Sequence, residues 1–313
     1  MYQPYIRGKQ FELIGLKELT QPVLIPSKAK ISPIIEPVKD SSTLKNTIKE
    51  LAGNDINFTV IVNPQVGSFR NAGDIFEIVN SAVGDYRNYQ VGVIFHNKID
   101  HTKATKILKE FTDAIPALSI IHKAEFDNIS DILALYKDIS TIKYNVIDIS
   151  STSRRYFRNF ERGTLVELDD YFNAQTKNSD YLKVDESNFS EEHLYYKEEG
   201  FDGFADYLAI GEEYSESGFL PYAVAIHLSY AEPETKKIRI KHFVSDSNND
   251  TSDIAGKFAE ALEKLIAWCD QTDYDSIAIP IYREYYRTGH FPGLGTLKKL
   301  SLMNHIDLVL KLI

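Results

Sequence analysis

The sequence predicts a single (β/α)8 TIM-type barrel with an appended β-hairpin near residues 222–245. Short runs of valine and isoleucine without polar alternation recur along the chain, which is how strands buried on both faces of a parallel sheet read. Helical apolar spacing separates the runs, at intervals of roughly 30 residues that match a βα unit. Most runs also end in a polar residue two positions after a branched aliphatic one, so that the polar ends share a face with the core.

In chain order, residues 2–19 begin with Tyr5, Arg7 and Lys9 and continue in a helical pattern through Phe11, Ile14, Leu16 and Leu19. Arg7 and Lys9 precede that helix, where cations gain nothing from its dipole, and the segment 1–20 is expected to pack over the barrel mouth. ISPIIEPV (31–38) is the first clear strand, ended after Glu36 by Pro37, which lacks the next ladder donor. Leu44, Ile48 and Leu51 lead to NFTVIVN (57–63), and Ile75, Phe76, Ile78, Val79 and Val83 lead to QVGVIFH (90–96). Ile107, Leu108 and Phe111 precede ALSIIH (117–122), and Ile129, Ile132, Leu133 and Tyr136 precede YNVIDIS (144–150). A basic and aromatic segment, SRRYFRNF (153–160), comes before the strand in GTLVELDDYF (163–172). Residues 173–200 are polar and lack periodicity; GFADYLAIG (203–211) reads as a seventh strand and YAVAIHLSY (222–230) as an eighth. IRIKHFVS (238–245) pairs back on the eighth as a hairpin, and helices follow over 254–268 and 297–312. No linker or low-complexity tract interrupts the 313 residues, so one domain, 1–313, is expected.

Composition narrows the function classes. The net charge of −10, from 35 basic and 45 acidic residues, disfavours nonspecific binding to nucleic acid. The single cysteine, Cys269, sits beside Trp268 in an apolar helical pattern, so neither a disulfide framework nor a cysteine zinc site forms within one chain. No stretch resembles a signal core or a membrane span, and a soluble, unprocessed cytoplasmic protein is expected.

The polar strand ends are Glu36, Asn63, His96, His122, Asp148, Glu167, Asp206 and His227. In a barrel such residues line the mouth where chemistry is done. Glu167 and Asp169 are two apart and share a face; if they join Glu36 and Asp148, the cluster needs a cation, whether a divalent metal, Arg7, Lys9 or protonated His227. The expected catalytic set is therefore Glu36, Asp148, Glu167, Asp169 and His227, as metal ligands or acid and base groups, with Mg or Mn as the fitting ion. Arg7, Lys9, Asn63, His96, His122 and Asp206 form the expected binding set, with Arg7 and Lys9 offered to a phosphate or carboxylate. His101, His193, His290 and His305 are expected at the surface. There is no HExxH, Walker loop or G-x-S-x-G elbow, and Gly293-Leu294-Gly295 is too short for a dinucleotide fingerprint.

The motifs Tyr5-Ile6-Arg7-Gly8-Lys9 with Glu12 and Leu13, Pro33-Ile34-Ile35-Glu36-Pro37, Leu168-Asp169-Asp170-Tyr171-Phe172, Asp206-Tyr207 and Ala223-Val224-Ala225-Ile226-His227 together resemble the "beta protein" family of bacterial and phage proteins. Where that family carries Lys-x-Gly-Glu, this chain has Lys9-Gln10-Phe11-Glu12. The resemblance implies a bacterial or phage origin and a barrel-like single domain, and implies no reaction. Two functions are expected as alternatives. One is an enzyme, of hydrolase or phosphodiesterase type, acting on a phosphate-bearing small molecule or nucleotide. The other is a catalytically inactive barrel subunit bound to a protein partner in a bacterial or phage assembly, with phage defence as its setting.

Overall fold

The computed structural model describes residues 1–96, 106, 115–126, 128–139, 141–215 and 220–313. His101 and the helix expected through Ile107, Leu108 and Phe111 lie outside these residues. The chain folds as two compact units, residues 1–169 with 194–206, and residues 170–193 with 207–313.

The first unit is a parallel barrel. Its staves are β1 (Tyr5–Ile6), β2 (Ile34–Ile35), β3 (Phe58–Ile61), β4 (Tyr89–Phe95), β5 (Leu118–His122), β6 (Ile142–Asp148), β7 (Leu165–Asp169) and, beyond β8 (Glu186–Ser190) of the second unit, β9 (Gly203–Asp206), paired in that order as an eight-stranded sheet. Helices α1 (Gln10–Leu19), α2 (Ser42–Gly53), α3 (Ala72–Val83) and α4 (Ile129–Ile139) follow β1, β2, β3 and β5. α2 and α3 bury the apolar residues spaced so in the sequence, whereas α1 buries Leu13, Leu16 and Leu19 and leaves Phe11 exposed; Ser41 caps α2 by accepting from the Leu44 amide at 3.1 Å.

The ring closes at the N-terminus. Tyr2 bridges Ile31 on one side and Phe204 on the other, both in parallel. Gln3 N donates to Phe204 O at 2.8 Å, and Phe204 N donates to Met1 O at 3.0 Å. The first residues are thus a stave of the barrel rather than a cover over its mouth, and they replace residues 222–230 as the eighth strand. The (β/α)8 class stands with this exchange of one strand. A parallel stave needs partners distant in sequence, and the short, Pro4-containing run gives no local sign of them.

The second unit holds a three-stranded antiparallel sheet in the order β10 (Ala225–Ala231), β11 (Ile238–Val244), β8. The hairpin is the one expected, in register from Ala225 opposite Val244 to Ala231 opposite Ile238. Its third strand, β8, comes from the polar stretch that shows no periodicity. Helix α5 (Ile254–Thr272) packs on β11, α6 (Ile279–Thr288) packs on α5, and α7 (Leu294–Leu312) packs on β10. Every residue of α7 from Leu300 to Leu310 is buried, so its polar members are satisfied internally. Asn304 Nδ2 donates to Ser229 O at 2.8 Å, Ser301 Oγ donates to His227 O at 2.6 Å, and His305 Nδ1 lies 2.9 Å from Ser229 Oγ. His305 is therefore a core residue, as is His193, whose Nε2 lies 2.9 Å from Lys236 O; only His290 of the described three is exposed as expected. Cys269 is buried, and burial pushes its thiol up to about 11, which suits a packing residue rather than a nucleophile. Among the described residues no helix is long and apolar enough to cross a membrane.

Closure makes a prediction at Tyr2, whose hydroxyl donates to Asp206 Oδ1 at 2.9 Å in a buried site. Tyr2→Phe removes a hydrogen bond to a charged group and is expected to lower unfolding free energy by about 1.5–3 kcal/mol, read from denaturant titration. A change within a few tenths of a kcal/mol would mean that the bond adds nothing to closure.

Candidate functional site

Contacts between strands that are not neighbours identify the side chains facing the lumen. Tyr144 on β6 lies beside Ser32, which precedes β2, and the Lys123 ammonium, just past β5, lies 5.6 Å from the centre of the Tyr5 ring on β1. Neither pair can meet except across the interior. At Gly92 on β4 a Cβ would come within 2.8 Å of Thr59 Cγ2 and 2.9 Å of Ile61 Cγ1, so the lumen is filled there and the glycine makes room. Following these rows by twos to the C-terminal ends of the strands, the mouth is lined by Arg7, Glu36, Asn63, His96, Lys123 and Asp148.

The centre of this group is Glu36, which is 0% exposed. Its Oε2 accepts from the Tyr5 hydroxyl at 2.7 Å and pairs with Arg7 Nη1, while Oε1 accepts from the Gln65 amide at 2.7 Å. Arg7 is itself held, because its backbone amide donates to Glu12 Oε2 of α1 at 2.8 Å. The turn between them needs Gly8, at φ 62°, where a Cβ would sit 2.7 Å from Glu36 O. The Arg7 guanidinium carbon lies 5.4 Å from the centre of the Tyr5 ring, so that ring is flanked by two cations, Arg7 and Lys123. An ion pair this deep survives only with its remaining polar atoms satisfied, and the tyrosine and the backbone amide do that for the carboxylate.

The other mouth residues are partly committed to the scaffold. Asp148 Oδ1 accepts from Ser150 N at 3.0 Å, Ser150 Oγ at 2.6 Å and Ser151 N at 3.2 Å, capping the turn after β6. Asn63 Nδ2 donates to Ile94 O and its Oδ1 accepts from Ile94 N, both at 2.9 Å, extending the β3–β4 ladder by one side chain. His96 is half-buried directly after β4, and Lys9 is half-buried at the position preceding α1.

No family model, curated protein or solved structure matches this chain. The reading of the site therefore rests on its own geometry.

That geometry corrects several expected members. Asp148 pairs with Leu168, so Glu167 and Asp169 project from the opposite face of the sheet, toward the outer layer. His122 likewise faces outward, where its ring packs against Tyr156 and Phe160 of the β6–β7 connection. Asp206 lies opposite Asp169 on the outer face with Phe204, whose ring packs on Tyr196. His227 is not on a barrel strand at all. It belongs to β10 in the second unit, where its Nδ1 lies 2.8 Å from His242 Nδ1 between the rings of Phe172 and Tyr181. Burial first, and then the neighbouring His242, push its pKa down to about 3, so it is a neutral packing group. The expected cluster of four carboxylates is thus reduced to Glu36 and Asp148. Among the described residues neither joins a group of three ligands close enough to share an ion.

Sequence reasoning missed Tyr5 and Lys123. Lys123 ends an inward row through Ile121, but Ile120 and Ile121 are both buried isoleucines, so nothing local tells which of His122 and Lys123 faces in.

Two outcomes follow. Arg7→Met leaves the Glu36 charge buried without its counter-ion and is expected to destabilise the protein by about 3–5 kcal/mol, measured by denaturant unfolding. His122 is 1% exposed, and burial holds its pKa near 4 against an ordinary 6.5. The unfolded chain therefore takes up a proton that the folded chain refuses. The stability from neutral His122 is complete above the unfolded pKa and falls as pH drops from 6.5 toward 4. The loss reaches about 3 kcal/mol at the acid end of the window, and His122→Gln is expected to flatten that part of the stability profile between pH 7 and pH 4.

Proposed function

We propose that the first unit binds a phosphate-bearing small molecule or nucleotide at the C-terminal ends of its strands, with Arg7 and Lys123 holding the phosphate. The observation that carries this reading is the placement of two cations from non-neighbouring strands about one ring, Tyr5, at the mouth. A guanidinium offers paired donors to phosphate oxygens and an ammonium adds a point charge, a combination suited to an anion that carries more than one acceptor. Beneath them the Tyr5 hydroxyl and the Glu36 carboxylate are joined at 2.7 Å and form a proton-transfer pair, the group a hydrolase or phosphodiesterase-like reaction would use. His96 supplies a second titratable group on the same rim. The motifs that resemble the "beta protein" family fall here too, since Arg7 and Glu36 lie within Tyr5 to Lys9 and Pro33 to Pro37.

Calorimetric titration with AMP and with inorganic phosphate, with and without Mg or Mn, tests the proposal. AMP is expected to bind saturably, and Lys123→Met is expected to weaken it by roughly tenfold or more, the loss of one charge-assisted contact. Equal affinity of wild type and variant would remove Lys123 from the site. Absence of AMP binding, with a protein partner retained through purification, would favour the assembly-subunit reading instead.

A further inference from the structure

Below the mouth the barrel lumen is polar, where such interiors are ordinarily filled by layers of branched aliphatic side chains. The inward rows run by twos away from the mouth, so Tyr5 leads back to Gln3, Ile34 to Ser32, Ile121 to Ser119 and Val146 to Tyr144. Gln3 lies next to Ser32, because Tyr2 bridges Ile31 and Ser32 N donates to Tyr2 O at 2.9 Å. Ser119 and Tyr144 are partners in the β5–β6 ladder, and Tyr144 lies beside Ser32 across the lumen. Gln3 and Ser119 therefore flank one cross-lumen contact from opposite sides of the ring, four staves apart among eight. Both residues are 0% exposed. Among the described residues, Gln3 Nε2, Gln3 Oε1 and Ser119 Oγ have no hydrogen-bond partner. The neighbouring polar pair differs, since Thr59 Oγ1 donates to Gln90 Oε1 at 3.4 Å.

We infer that the lumen binds water that joins Gln3 to Ser119, singly or as a short chain. A primary amide offers donors and an acceptor, and a hydroxyl offers one donor and accepts as well, so the partner that satisfies them both donates and accepts. Ser32, Thr59, Gln90 and Tyr144 around them are uncharged groups at neutral pH, and an ion would be buried there without a counter-charge. Passage from the mouth is closed by packing. A Cβ at Gly92 would stand 2.8 Å from Thr59 Cγ2 and 2.9 Å from Ile61 Cγ1, so the layer above holds no channel for a larger ligand at that stave. A buried water ordinarily makes about three hydrogen bonds to groups that lack other partners, which is the supply these three atoms give.

A crystal structure of the full chain at a resolution that orders solvent tests the assignment. Solvent density is expected in the lumen within about 2.7–3.2 Å of side-chain atoms of both Gln3 and Ser119. Oxygen-17 magnetic relaxation dispersion gives a second readout, the number of long-lived internal waters. That number is expected to fall by at least one when Gln3→Met, which removes both polar atoms at similar length, is combined with Ser119→Ala. If the double variant fails to fold, the wild-type density alone decides. A lumen without solvent density in the wild type would overturn the inference, as would a direct Gln3 to Ser119 hydrogen bond. An ion in place of water, recognised by several oxygen contacts at about 2.0–2.6 Å, would overturn it too, and so would an unchanged water count in a folded double variant.

Discussion

The first unit depends on a pairing made by its first six residues. A parallel sheet left open there would expose the edges of β2 and β9, and with them unpaired backbone groups that the barrel otherwise satisfies. Tyr2 and Gln3 supply the missing ladder on both sides, and β1 then carries Tyr5 and Arg7 into the lumen. Closure and the mouth are consequently one feature. The strand that seals the ring also delivers the cation that makes burial of Glu36 tolerable.

Neutralisation decides which carboxylates of the barrel are open to a ligand and which serve the fold. Asp148 accepts three donors from the turn that follows it, a bonding pattern that holds a loop in place. Glu36 is held as closely, but by groups that are themselves chemical: a tyrosine hydroxyl and an arginine. The mouth therefore holds two cations and the Tyr5–Glu36 pair, while Glu167 and Asp169 project from the opposite face of the sheet.

The second unit shows how polar side chains can be core residues without forming a site. Ser229, Ser301, Asn304 and His305 are buried between β10 and α7, and they bond to one another or to β10 carbonyls. Half-buried His227 and buried His242 form a pair flanked by aromatic rings, and desolvation holds both below the usual histidine range. A histidine at the end of an apolar run can thus mark packing as readily as chemistry.

The sequence by itself determined the alternation of strands and helices, the hairpin of β10 and β11, and the placement of Glu36 and Asp148 at strand ends, because period and punctuation are local properties of the chain. It could not determine which face of a strand looks inward. Runs such as Ser119 to Ile121 and Leu165 to Val166 are buried on both sides, so their pattern carries no face label, and a choice wrong by one residue exchanges Lys123 for His122 and directs Glu167 into the lumen. Nor could it place Tyr5 in the barrel or His227 outside it. Membership of the barrel is settled by partners far away in sequence: Tyr2 bridges Phe204, whereas β10 pairs within the second sheet, and only the tertiary structure decides which run finds such a distant partner.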